Sequence, residues 1–263
     1  MMRDSSWVPS GVDVTKANAA RVYDYLLGGR HNFPADRWAG EQAVDEMPDV
    51  RSLVAARRQF QQRAVRFLLS AGIRQFIGLG SGLPTAGHVH EVVQGVDTRA
   101  RVVYVEADPV AAAHGAALLE GIAGAAMIHA DLRDVRAVLA AARLRTIDSN
   151  QPVALLMVAV LNLLSDVDDP ARVVDRYYDA LPSGSYLVLS HPVRPDLVQP
   201  PREAGAAAVS LAGIGQRSQD DIAALLTDWK PMEPGLVQIE LWRPEANVPL
   251  APVAEVGGVA RKA

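Results

Sequence analysis

Three glycines spaced by two, Gly78, Gly80 and Gly82, sit in the stretch FIGLGSGLPT (residues 76–85) at the end of an apolar run. Glycine there lets the chain turn tightly and lets a ligand lie against bare main chain. A helix expected to open near Pro84 and Thr85 would add unbonded N–H groups and a positive dipole end. The next apolar run, RVVYVEAD, ends in Glu106, Ala107 and Asp108. A carboxylate at the end of a second strand can accept hydrogen bonds from ribose hydroxyls, and it repels a 2′-phosphate. The run AAMIHAD ends in Asp131, an acceptor for an adenine amino group. A dinucleotide loop would carry a third glycine where Leu83 stands, and a P-loop would carry Lys and Ser or Thr there. An adenosine moiety with little phosphate fits this series. S-adenosylmethionine fits best, NAD second, and NADP is disfavoured.

A methyl group on a sulfonium is its own electrophile, so a protein using one mainly positions and desolvates the reactants. A base is needed only when the acceptor must lose a proton. Asn162, ending the fourth apolar run, could hold an acceptor by hydrogen bonds, and His191, after the fifth, is the best-placed histidine for a base. His88 and His90 are read as packing or solvent-facing. No His, Asp or Glu cluster has metal-ligand spacing, so no metal is expected. Tyr23, Asp24, Tyr25, Arg30, His31 and Asn32 surround a Gly28-Gly29 stop. That density of polar and aromatic groups reads as a lid over the cofactor, with Tyr23 beside it and Arg30 or Arg21 as the cation for its carboxylate.

The elements that would position these groups follow from periodicity. Helical spacing covers residues 16–27, Pro34 starts a helix to about Met47, and a long helix runs over residues 50–70. In that helix Leu53, Phe60, Ala64, Phe67 and Leu68 form the buried stripe, with Arg51, Arg58 and Arg66 outward. From Arg74 strands and helices alternate, which implies an α/β fold with a parallel sheet. Strands are expected over 75–79, 101–106, 125–129, 153–160 and 185–190, and helices over 85–94, 109–120, 135–144 and 170–180. Residues 193–217 read as a proline-led loop, and Ser218 as the cap of a helix over 219–229. Residues 230–233 and 237–242 read as a closing hairpin around Pro234-Gly235. The small-residue tail from Glu245, like residues 1–15, reads as frayed. The expected division is a helical extension or lid (1–72), a Rossmann-like core (73–244) and a tail (245–263).

FIGLGSGLPT, VVYVEADPV, HADLRD and LLMVAVLNLLSD together resemble the actinobacterial DUF574 group of S-adenosylmethionine-dependent methyltransferases. So do ARVYDYLLGGRHNFPADR and EPGLVQIELWRP, and the resemblance spans Val12 to Pro244. It implies a class I methyltransferase fold, a Rossmann-like three-layer arrangement with a seven-stranded, mostly parallel sheet in the order 3-2-1-4-5-7-6. It also implies roles. Gly80, Ser81 and Gly82 would wrap the methionine part, Glu106 would hold the ribose, and Asp131 and Leu132 would flank the adenine. Val158, Ala159 and Val160 would line the methyl end. Two positions depart from the group's pattern: Gly78, where members usually carry an acid, and Asn162, where they often carry His.

Composition narrows the class further. The chain has 263 residues, 49% of them apolar, and a formal net charge of −4. Neither nucleic acid nor an anionic membrane is favoured as a partner. No cysteine is present, which removes disulfides, zinc–cysteine sites and thiol nucleophiles. No signal-peptide core and no apolar run of ~18 residues is seen, so a cytoplasmic location is expected. The leading expectation is an S-adenosylmethionine-dependent methyltransferase acting on a small-molecule acceptor, with a homo-oligomer possible. The alternatives are a cofactor-binding protein without turnover, motivated by Gly78 and Asn162, and, behind it, an NAD-dependent oxidoreductase.

Overall fold

A computed structural model describes residues 13–85, 87–193, 217–245 and 253–263. The loop expected over 193–217 and the fraying expected over 1–15 fall almost wholly outside them. Three helices come first: α1 (Ala19–Leu26), α2 (Pro34–Glu46) and α3 (Val50–Ser70). There follow β1 (Gln75–Leu79), α4 (Val89–Gln94), β2 (Arg101–Glu106), α5 (Pro109–Leu118), β3 (Ala125–His129) and α6 (Val135–Arg145). Then come β4 (Ala154–Val158), α7 (Pro170–Ala180), β5 (Tyr186–Pro192), α8 (Gln219–Ala224), β6 (Lys230–Pro231), β7 (Val237–Gln238) and β8 (Glu255–Arg261). The sheet order is β3-β2-β1-β4-β5-β8-β6, with β7 also on β8. Strands β1 to β5 are parallel, and β8 is antiparallel to β5 and β6.

The apolar runs are continuous rather than alternating because both sheet faces are covered. Ile77, Val103, Val105, Leu155 and Leu189 meet α6, α7 and α8 on one face. Phe76, Val102, Tyr104, Leu156 and Val188 meet α3, α4 and α5 on the other. Helix α3 enters that second layer through Phe60, Ala64 and Leu68. Helices α1 and α2 make their own small cluster with the start of α3, through Val22, Leu26, Ala43, Val50 and Val54. Among the described residues no helix is long and apolar enough to cross a membrane.

Three expectations are corrected. The residues after the glycine loop are not helical; α4 begins only at Val89 and has six residues. The expected hairpin does not form, since β6 and β7 each pair with β8 instead of with one another. The described end of the tail, residues 253–263, is not frayed: β8 is buried from Glu255 to Ala260 and fills the slot between β5 and β6. Its glycines obscured it. A Cβ on Gly257 would stand 2.8 Å from Ile239 Cγ2 and 2.9 Å from the Leu189 carbonyl oxygen. Only a bare backbone fits there, so the strand lacks the β-branched signature of its neighbours.

Candidate active site

Strand order reverses between β1 and β4, and a crevice opens at the carboxyl ends of the strands there. It has two lobes. The first, about 200 Å³, is lined by the glycine loop (Gly78 to Gly82), by Val158 and Ala159 after β4, and by two helices. Helix α1 contributes Ala19, Ala20 and Tyr23, and α3 contributes Arg57, Arg58 and Gln61. The second lobe, about 220 Å³, is lined by Ala107, Ala130, Asp131, Leu132, Val160 and Leu164 among others. Gly80, Glu106 and Leu163 border both.

The glycine loop is held from two sides. Gly80 and Gly82 have φ of +58° and +62°, in the left-handed region. A Cβ on Gly80 would lie 2.2 Å from Val160 Cγ2. The amide of Gly82 donates to Glu106 Oε2 at 2.9 Å, and the amide of Asp108 donates to Glu106 Oε1 at 3.0 Å. One carboxylate therefore ties the loop after β1 to the end of β2. An ionised carboxylate has about four acceptor sites. Two are used here, and the remainder can take a vicinal diol.

Asp131 receives the Arg133 guanidinium on both oxygens, at 3.0 and 2.6 Å, and Arg133 also reaches Asp168. This contact holds the Asp131 carboxyl below its usual range. Across the crevice Ala159 has φ +50°, a costly value for a residue with a Cβ. Its amide donates to the Ser190 carbonyl and to Ser190 Oγ, both at 3.1 Å. Ser190 Oγ donates in turn to Glu255 at 2.6 Å, and Glu255 receives Arg57 Nε at 2.5 Å. The turn after β4 is thus fixed by a polar chain that ends on an arginine of the first lobe.

A family model described as S-adenosyl methyltransferase matches residues 5–263. The chain belongs to this family. Two solved structures resemble the methyltransferase along its length. A candidate methyltransferase from Thermobifida fusca YX is 39% identical, covering 98% of this chain and 99% of that one, with a TM-score of 0.84. A DUF574 family protein from Streptomyces avermitilis MA-4680 is 35% identical, covering 95% and 99%, with a TM-score of 0.83. No curated protein matches. Membership favours S-adenosylmethionine over NAD, and the class I fold that the resemblance implies is the one observed.

Of the residues singled out in the sequence, Tyr23, Gly78, Gly80, Ser81, Gly82, Glu106, Ala107, Asp131, Leu132, Ala159 and Val160 border the two lobes of the methyltransferase crevice. Three do not. Arg30 is exposed and lines neither lobe. Its neighbours around Gly28-Gly29 are engaged with one another: Asp24 accepts from the amide of His31 at 2.8 Å and from Asn32 Nδ2 at 2.9 Å. The proposed alternative cation, Arg21, is buried on Asp36 at 2.8 Å and locks α1 to α2. The part of the expected lid that reaches the crevice is α1, through Ala19, Ala20 and Tyr23.

His191 is fully buried, donates from Nδ1 to the Pro192 carbonyl at 2.7 Å and meets Arg217 at 3.0 Å through Nε2. Burial pulls its pKa down to about 4. With both nitrogens engaged and no place in either lobe, it is not positioned as a base. Asn162, 1% exposed, sits in a short 3₁₀ turn (Leu161–Leu163) and lines neither lobe. Its neighbours are clamped by Arg217, which donates to the carbonyls of Leu161 and Leu164 at 3.1 Å. Both Asn162 amide atoms are buried without a hydrogen-bond partner.

Arg57, Arg58, Gln61 and His88 were missed. Arg58 was read as solvent-facing, yet it borders the first lobe, and burial pulls its pKa down. A signal existed: Arg57 falls between Leu53 and Phe60 at i+4 and i−3, inside the apolar stripe of α3.

Proposed function

We propose that this methyltransferase binds S-adenosylmethionine across both lobes and passes its methyl group to a small-molecule acceptor entering beside Ala159. The observation that carries the reading is the Gly82–Glu106 bond of 2.9 Å, which makes the glycine loop and the ribose-binding acid one rigid edge. The donor set fits the group. The Gly80–Gly82 main chain suits the methionine part, the spare acceptor sites of Glu106 suit the ribose diol, and Asp131 with Leu132 suits the adenine. Arg58 replaces Arg30 and Arg21 as the cation for the methionine carboxylate. Bound there, the group supplies an electrophilic methyl on sulfur. The chain's part is to hold that methyl beside Ala159, to exclude water with Leu163 and the first turn of α1, and to fix the acceptor.

Isothermal titration with S-adenosylmethionine and S-adenosylhomocysteine tests the reading. Binding of both, with no heat from NAD, is expected; no heat from either sulfur ligand refutes it. Glu106→Ala should weaken S-adenosylhomocysteine by about 1–3 kcal/mol, the cost of leaving polar partners unmatched. Unchanged affinity would remove the ribose assignment.

Asn162 lies outside both lobes, and its buried amide without a hydrogen-bond partner costs stability. Asn162→Leu, similar in volume, should therefore stabilise the fold by about 1–3 kcal/mol in urea unfolding while leaving S-adenosylhomocysteine affinity unchanged. A loss of stability would show the amide to be satisfied in solution.

A further inference from the structure

The first lobe carries two guanidinium groups, Arg57 and Arg58, on its α3 wall. Its acids, Glu106 and Asp108, stand together at the end of β2, where Glu106 already receives two amides. The methionine part of the cofactor brings a carboxylate and an ammonium. Arginine serves the first of these; the second is a cation with three N–H donors and needs acceptors. At position 78, where β1 runs into the loop, glycine supplies no side chain.

His88 stands in this neighbourhood. It borders the same lobe and is 2% exposed. Its Nε2 is 3.3 Å from the Ser81 carbonyl oxygen. A carbonyl accepts, so Nε2 carries the proton and Nδ1 holds the lone pair. That Nδ1 is buried and has no hydrogen-bond partner. The ring packs edge-on against Tyr104, centroids 4.7 Å apart. Tyr104 is also the nearest neighbour of Gly78: a Cβ there would stand 3.3 Å from Tyr104 Cδ1 and 3.7 Å from Ser81 Cβ. His88 and the bare position 78 thus share Tyr104 and Ser81 as neighbours. Desolvation, with repulsion from Arg58 and His90, holds the imidazole neutral at pH 7. A neutral ring can accept from an ammonium where an imidazolium would repel it.

We propose that His88 binds the amino end of the cofactor: its Nε2–H holds the Ser81 carbonyl of the loop while its Nδ1 accepts from the ammonium group, in place of a side chain at position 78. The proposal rests on the methyltransferase reading. It explains a buried lone pair that would otherwise be lost hydrogen-bonding capacity. It also divides the lobe by charge, with guanidinium for carboxylate and a neutral acceptor for ammonium.

Titration with two ligands tests it. S-adenosylhomocysteine carries the ammonium, and 5′-methylthioadenosine shares the nucleoside and sulfur but lacks the amino-acid part. His88→Phe keeps an aromatic ring against Tyr104 and removes both nitrogens. It should weaken S-adenosylhomocysteine by about tenfold or more and leave 5′-methylthioadenosine within about threefold of the parent. Equal losses on both ligands would mean that His88 only shapes the loop, and no loss on either would remove it from the site; each overturns the proposal. His88→Asn places an amide oxygen near the Nδ1 position, and the ratio of the two affinities should stay within about threefold of the parent. A tenfold fall in that ratio overturns the proposal even if the Phe variant fails to fold. If the parent protein binds neither ligand, the methyltransferase reading itself has failed, which is a different result.

Discussion

Glu255→Ala is expected to destabilise the fold by about 3–5 kcal/mol, the range for stranding one partner of a buried ion pair. Glu255 is fully buried, and Arg57 is 2% exposed. Without the carboxylate the guanidinium on α3 stays in the interior and loses its charge-assisted bond of 2.5 Å. Ser190 Oγ also loses its acceptor, and through it the Ala159 amide loses a fixed partner. Urea unfolding followed by tryptophan fluorescence measures the change, because Trp242 is buried edge-on against Phe60 and Phe67. Replacing both members by methionine should recover most of the loss, since well-packed apolar pairs often match buried ion pairs in stability. S-adenosylhomocysteine affinity should also fall in Glu255→Ala, because Ala159 lines the first lobe. A loss under about 1 kcal/mol, the scale of an exposed pair, would show that water reaches Arg57.

Glu255 also marks the boundary of what the sequence displays. Strands β1, β2 and β3 are legible to the residue because parallel strands covered on both faces must be apolar throughout and must stop where the chain turns polar. Their stopping points carry the crevice, so Gly80, Glu106 and Asp131 are legible with them. Strand β8 is not, because its glycines answer to Leu189, Ile239 and Gly235 across the sheet and against α3, contacts that no local pattern records. Arg57 and Arg58 fail for a related reason. A charge inside an apolar stripe averages out of a helical pattern, and its meaning depends on a carboxylate about 200 positions away in sequence. The polar cluster around Gly28-Gly29 misled in the opposite direction. Asp24 spends its hydrogen bonds on that loop, and a Cβ on Gly29 would stand 2.0 Å from Asp24 Oδ1, so its composition reflects a tight turn rather than a ligand.

Stability is expected to fall steeply as pH drops from 6.5 toward 4, well before most carboxylates titrate. His114 and His191 are 1% and 0% exposed, and desolvation lowers both to about 4 from 6.5. His88 is displaced in the same direction for the same cause. The sign follows from proton counts. Between pH 6.5 and the folded-state value, the unfolded chain binds protons on these rings and the folded chain does not, so acid favours unfolding. Above 6.5 both states are neutral and the full stability is present. Each of the two rings contributes a loss on the order of 3 kcal/mol across that window at ~1.4 kcal/mol per pH unit. From pH 7.5 to 5.0 the two together should remove roughly 4 kcal/mol, read as a shift in urea midpoint, and His88 should add to it. For His191 a charged neighbour adds to desolvation: with Nδ1–H on the Pro192 carbonyl, a second proton on Nε2 would face the Arg217 N–H donors at 3.0 Å. His191→Gln offers an amide oxygen to Arg217 without a titrating proton, and it should flatten the slope by about a third. A midpoint that holds constant down to pH 5 would mean that these rings are hydrated and charged in the folded protein.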